Sequence, residues 1–155
     1  MTEPLLLDTE AIKARIGGFF GDIENYLQSA TLKVEDRKAT GIITYQRRYS
    51  PIAKHTVLGS DKAPIVPGTI LLESAARLFA LLELARVNDQ SENRRAIVRE
   101  YSIKFSQMVK PGQKVVIELE SETRKHSLLL ARVKFFVDKN LVARAKITAS
   151  SYLSL

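Results

Sequence analysis

Apolar and polar side chains alternate with different spacings along the chain, and each spacing predicts an element. Residues 9–16 place Ala11, Ile12 and Ile16 on one side of a short helix, with Asp8 as its N-cap (about 8–16 in all). Gly17-Gly18 is expected to stop it, and Phe19-Phe20 to anchor the segment to the body of the fold. Residues 26–34 read as a strand with Ala30, Leu32 and Val34 on one face. A polar turn, Glu35-Asp36-Arg37-Lys38, leads to a second strand over 39–47, where Ile42, Ile43, Thr44 and Tyr45 favour extended backbone. The two strands form a hairpin.

Residues 50–66 have no period and contain Pro51, Gly59 and Pro64, so they form a long loop, a place where function often resides. Pro67-Gly68 then opens a central helix over about 68–87. Ile70, Leu71, Leu72, Ala75, Leu78, Phe79, Leu81 and Leu82 leave it no polar face, which marks a buried helix. Glu73, Arg77 and Glu83 interrupt it too often for a membrane span. After a polar connector, four alternating runs predict strands over 96–105, 114–121, 127–137 and 141–149. Pro111-Gly112 and Asp138-Lys139-Asn140 mark turns between them. An antiparallel sheet wrapped around one apolar helix satisfies every period, giving an α+β fold in a single domain over residues 1–155.

Composition narrows the chemistry. The chain has 155 residues and no cysteine, which excludes disulfides, thiolate catalysis and cysteine-based metal sites. With two histidines, His55 and His126, no metal centre is expected, and His126 reads as a surface residue in a turn. Neither a secretory signal nor a membrane span is read, so the expected setting is the cytoplasm. The formal net charge is +7, from 24 Lys plus Arg against 17 Asp plus Glu. A basic surface favours acidic partners or serves solubility alone. Nucleic acid is not the expected partner, since aromatic and basic residues are little interleaved and no binding motif is present.

The segment Ala63-Pro64-Ile65-Val66-Pro67-Gly68-Thr69-Ile70-Leu71-Leu72-Glu73-Ser74-Ala75-Ala76-Arg77 resembles the loop and central helix of the hotdog-fold β-hydroxyacyl-[acyl-carrier-protein] dehydratases. In that family a Pro-x-x-Pro-Gly turn leads into the helix, and an acidic residue stands five positions after the glycine, where this chain has Glu73. Ile103-Lys104-Phe105 and Val109-Lys110-Pro111-Gly112 resemble the strand and turn that follow. The family's His-Phe-Pro-Gly segment is absent, with Gly59-Ser60-Asp61-Lys62 in its place. Matching Pro51 to a proline that often precedes that histidine brings His55 close to the catalytic position, with a four-residue insertion after it. An uncharged amide is usual where this chain has Arg77.

The resemblance implies a hotdog fold and dehydration of 3-hydroxyacyl thioesters, linked to acyl carrier protein or coenzyme A, in fatty-acid, lipid or polyketide assembly. It implies His55 as base, Glu73 as acid, and a substrate lining of Val66, Pro67, Gly68, Leu72 and Arg77, with no cofactor. Free N–H groups at the helix start would polarise the thioester carbonyl. Burial of Glu73 on an apolar helix would favour its protonated form. Each group also has a purely structural reading: a tight turn at Pro67-Gly68, a Glu73–Arg77 ion pair at i,i+4, a solvated loop histidine at 55. The family's subunits pair edge to edge, with histidine and acid from different subunits. A homodimer or larger homo-oligomer is therefore implied, and a heterodimer with another hotdog subunit is allowed. Arg47, Arg48, Lys54, Lys62, Arg94, Arg95, Lys104 and Lys110 would form a basic rim for the carrier or coenzyme. A hotdog acyl thioesterase and a non-catalytic acyl-thioester-binding subunit are the alternatives.

Overall fold

The computed structural model describes residues 2–20, 27–46, 65–87, 94–125 and 128–153. Among them the order is β1 (Leu5–Asp8), α1 (Thr9–Phe20), β2 (Ser29–Lys33), β3 (Lys38–Thr44), α2 (Gly68–Val87), β4 (Arg94–Phe105), β5 (Lys114–Thr123), β6 (Leu128–Val137) and β7 (Asn140–Leu153). The strands form one antiparallel sheet in the order β1-β2-β3-β5-β6-β7-β4. The sheet curls around α2, as the periodicities require. Leu71, Ala75, Leu78 and Leu82 of α2 are fully buried against an inner sheet face that includes Ile43, Ile117 and Phe135. A side chain at Gly41 of β3 would come within 3.3 Å of Leu78, so the glycine lets helix and sheet approach closely.

Two features depart from the sequence reading. The backbone of α1 continues through Gly17-Gly18 to Phe20. Glycine costs a helix about 1 kcal/mol relative to alanine, which weakens a helix without forbidding it. The completely buried Ile12 and Ile16 hold α1 on the core ahead of that point. The second departure is β1. The run Leu5-Leu6-Leu7 hides its alternation, yet Leu7 is buried while Leu6 is 74% exposed, and the strand pairs with β2 from Leu5↔Leu32 to Asp8↔Ser29. Asp8 does cap α1, its Oδ1 accepting the Ala11 N–H at 2.8 Å.

The turns follow their chemistry. Asp138 and Lys139 have positive φ (49° and 66°), the conformation that a two-residue hairpin between β6 and β7 demands. Gly112 (φ 87°) donates its N–H to the Tyr45 carbonyl at 2.9 Å and ties the β5 approach to the end of the first hairpin. Arg37, also at positive φ, reaches from the β2–β3 turn to the far end of α2. There the Glu83 carboxylate accepts from Arg37 Nη2 at 3.0 Å, Ser121 Oγ at 2.7 Å and Arg86 Nε at 2.7 Å. This cluster fixes the helix relative to β5.

Strand β4 ends the sheet, so one of its sides has no strand partner among the described residues. It presents Ile97 (51% exposed), Val98, Tyr101 and Phe105 to solvent.

Candidate active site

The site grows from the start of α2. Val66 is buried, and its N–H donates to the Val109 carbonyl at 2.8 Å, which pins the entry segment to the stretch after β4. The Pro67 carbonyl accepts from Ile70 (3.0 Å) and Leu71 (3.4 Å), making Pro67 the residue that closes the first turn. The Gly68 and Thr69 N–H groups have no backbone acceptor among the described residues, as expected for a helix N-terminus. The open side of Gly68 faces β4. A Cβ there would lie 2.9 Å from Cε2 of Phe105 and 3.5 Å from Ile103, so neighbours within the chain already use the space that the absent side chain leaves.

A cleft of about 460 Å³ runs between the first half of α2 and β4. Thr69, Leu72, Glu73 and Ala76 form the helix wall, and Val98, Tyr101 and Ile147 form the sheet wall. Glu73 is the acidic group on this otherwise mostly apolar lining. The burial expected for it is not supplied by the described residues: Glu73 is exposed, because the cleft opens where the sheet ends at β4.

Arg77, one turn beyond, is 1% exposed and lies in the core. It neighbours a hydroxyl pair that the sequence reading did not single out: the Tyr45 hydroxyl lies 2.7 Å from Ser74 Oγ, and Ser74 in turn donates to the Ile70 carbonyl at 3.1 Å. Burial pushes the Tyr45 phenol well above its ordinary range, only partly offset by the Ser74 hydrogen bond and the nearby Arg77 charge. Tyr45 is thus a neutral hydroxyl beneath the helix. The sequence places Tyr45 in the strand expected over 39–47, whereas it stands just past the end of β3, and its partner Ser74 emerges only when that segment and α2 are packed together.

Of the expected site residues, Val66, Pro67, Gly68, Leu72 and Glu73 gather along one stretch of α2 and its entry. Leu72 and Glu73 line the cleft, whereas Val66 packs in the core. Tyr101 and Ile147 were missed as site residues because their register (Tyr101↔Ile147) brings them together, and a strand pattern alone does not give register. His55 and His126 lie outside the described residues, as do Arg47, Arg48, Lys54, Asp61 and Lys62. Of the expected basic rim, Lys104 is on the outer face of the sheet, away from the cleft. Among the described residues no group of three or more His, Cys, Asp or Glu is placed to hold a metal ion, and no helix is long and apolar enough to cross a membrane.

The FabA-like domain model matches residues 60–146, which spans the entry to α2, α2 itself, β4, β5, β6 and the first half of β7. The chain belongs to the FabA-like family. A curated relative of this FabA-like chain is the 3-hydroxyacyl-[acyl-carrier-protein] dehydratase of Campylobacter jejuni, 26% identical over 76% of this chain and 82% of the relative. The Campylobacter lari protein of the same name is 28% identical over the same shares. Among solved structures, a mutant thioesterase from Pseudomonas aeruginosa superposes with a TM-score of 0.65 at 12% identity, covering 95% of each chain. A coenzyme A-bound hypothetical thioesterase from Streptococcus pneumoniae gives 0.57 at 12% identity, covering 77% of this chain and 81% of that one. These neighbours show that the FabA-like chain has the hotdog fold.

Proposed function

We propose that the protein removes water from a 3-hydroxyacyl thioester to give the trans-2-enoyl thioester, with the thiol carried by acyl carrier protein or coenzyme A. The observation that carries this reading is Glu73, the carboxyl group on an apolar cleft that begins at the open N–H groups of α2. The acyl chain lies along Leu72, Ala76, Val98 and Ile147, and the thioester carbonyl faces the Gly68 end of the helix. Its partial positive charge stabilises the enolate that develops when the C2 proton leaves. His55 is the base for that proton. The C2–H pair becomes the C2=C3 bond, the C3–O bond breaks, and Glu73 protonates the departing hydroxyl so that water leaves. A second copy on β4, whose exposed Ile97, Val98 and Tyr101 suit edge-to-edge pairing, closes the cleft over Glu73. The setting is fatty-acid, lipid or polyketide assembly.

The test is incubation of the pure protein with 3-hydroxyacyl carrier protein and with 3-hydroxyacyl coenzyme A, followed by detection of the enoyl product. Turnover is expected, falling by roughly 10²-fold or more in Glu73→Gln, the scale of a lost general acid. A second reading is favoured by the exposure of Glu73: an exposed carboxylate beside a helix N-terminus also suits activation of water for thioester hydrolysis. Release of free acid and thiol without enoyl product would establish that reading instead. Absence of both products, alone and with a second hotdog subunit, would leave acyl-thioester binding without chemistry.

A further inference from the structure

The outer face of the sheet carries a charge arrangement that the cleft does not use. Cross-strand register sets Lys104, Arg144 and Lys134 side by side in one row across β4, β7 and β6, and Lys146 beside Arg132 in the next row. All five are exposed. Arg132 engages a carboxylate, that of Glu122 at 3.2 Å. The other four make no ion pair among the described residues. Like charges directly opposite on neighbouring strands destabilise a sheet. Solubility does not require this arrangement, since interspersed signs serve it without the repulsion. Both rows change sign at β5, where Lys134 stands beside Glu118 and Arg132 beside Glu120, and the second row turns basic again beyond it, with Lys38 of β3 beside Glu120 and Lys33 of β2 beside Lys38. A trough of about 650 Å³ runs across these strands.

We infer that this trough docks a helix of a partner protein, lying across the strands, acidic where it crosses β4, β7 and β6 and basic where it reaches β5. Adjacent strands are about 4.8 Å apart, so the cations repeat at nearly the step of one helical turn, about 5.4 Å. Carboxylates at i, i+4 and i+7 of such a helix meet Lys104, Arg144 and Lys134 in turn. The two rows lie about 7 Å apart, two residues along each strand, and flank the helix on either side. The acidic step at β5, between Lys134 and Arg132 on one side and Lys38 on the other, decides the occupant. A phosphodiester backbone or an anionic bilayer is negative throughout and would meet Glu118 and Glu120 unfavourably, whereas a peptide helix changes sign along its length. The trough also lacks the aromatic side chains on which single-stranded nucleic acid stacks. Along β4 and β7, Tyr101 and Ile147 line the cleft while their neighbours Ser102 and Lys146 line the trough. The docking surface is therefore on the opposite side of the sheet from the thioester site and does not rest on that reading.

The experiment measures fluorescence anisotropy with the full chain and a labelled helical peptide carrying Glu at i, i+4, i+7 and i+11 followed by a Lys-bearing turn. A scrambled peptide of the same composition, a labelled DNA duplex and phosphatidylserine vesicles are the comparisons. The patterned peptide is expected to bind at least about tenfold more tightly than the scrambled one, as electrostatic complementarity requires. The preference should vanish in Lys134→Gln/Arg144→Gln and in Lys134→Glu/Arg144→Glu, with circular dichroism verifying that both variants are folded. Equal binding of the scrambled peptide, or tighter binding of duplex or vesicles than of the patterned peptide, overturns the proposal.

Discussion

The ring of Phe105 lies over Gly68, with Cε2 2.9 Å from where a β-carbon would stand. Phe105 is 43% exposed, so its ring has room to move aside. Gly68→Ala is therefore expected to change folding stability by less than about 1 kcal/mol, since the displaced group is a side-chain tip and alanine favours the helix. The displaced ring and the new methyl crowd the helix N-terminus. On the dehydratase reading, kcat/KM falls by about tenfold or more, the loss that follows when a reacting carbonyl is held off its donors. Urea denaturation and steady-state rates on one preparation test both halves.

Tyr45 supplies a prediction about pH. Its folded-state pKa is raised above the unfolded value of 10.0, chiefly by burial. Both states keep the phenolic proton below that value, so the stabilisation is fully present there. Above it the unfolded chain loses the proton first, and stability falls as pH rises toward the folded pKa, by about 1.4 kcal/mol per unit. Tyr45→Phe should lower stability at neutral pH by about 1 kcal/mol, the net value of one hydrogen bond. It should also flatten the decline above pH 10 relative to the parent. Paired denaturation curves across neutral and alkaline pH measure the difference.

Glu83 accepts three hydrogen bonds, two of them from arginines, with its side chain 12% exposed. Removing the carboxylate leaves Arg37 facing Ser121 and Thr123 without an anion. Glu83→Ala is expected to cost about 2 kcal/mol, within the range for hydrogen bonds to charged groups and short of a fully buried pair. The loss should shift the midpoint of chemical denaturation while leaving its slope unchanged.

The edge of β4, which has no strand partner among the described residues, predicts self-association. A strand of this length with exposed Ile97, Val98 and Tyr101 is a template for another strand. Sedimentation equilibrium should give at least a dimer for the parent chain. Ile97→Lys, which places a cation on the edge, should shift it to monomer. Persistence of the parent as a monomer at high concentration would count against the paired site.

Most of the framework was legible because it depends on local pattern. The central helix was expected over about 68–87, where it is found, because its apolar residues leave almost no polar face and Pro67-Gly68 marks its start. Asp138-Lys139-Asn140 announced its hairpin. The failures came where packing overrides local preference. Ile12 and Ile16 carry α1 past two glycines, and β1 is too short and too uniformly apolar to show alternation. The site divides in the same way. Glu73 and Gly68 sit on one helix at a readable spacing. Tyr101, Ile147 and the Tyr45–Ser74 pair come from distant segments and need register and packing to meet. Whether Glu73 is covered depends on what lies beyond β4, which no local pattern encodes.

The alternation of the sheet has a consequence for how this protein can change. On β5, β6 and β7 the odd-numbered positions around 117–119, 131–135 and 143–147 face the helix, and the even-numbered positions between them face outward. A run of substitutions confined to the even positions rewrites the exterior without altering a single core contact. The same scaffold can thus acquire a new address while its cleft is inherited intact, and a designer could exchange the one while leaving the other alone.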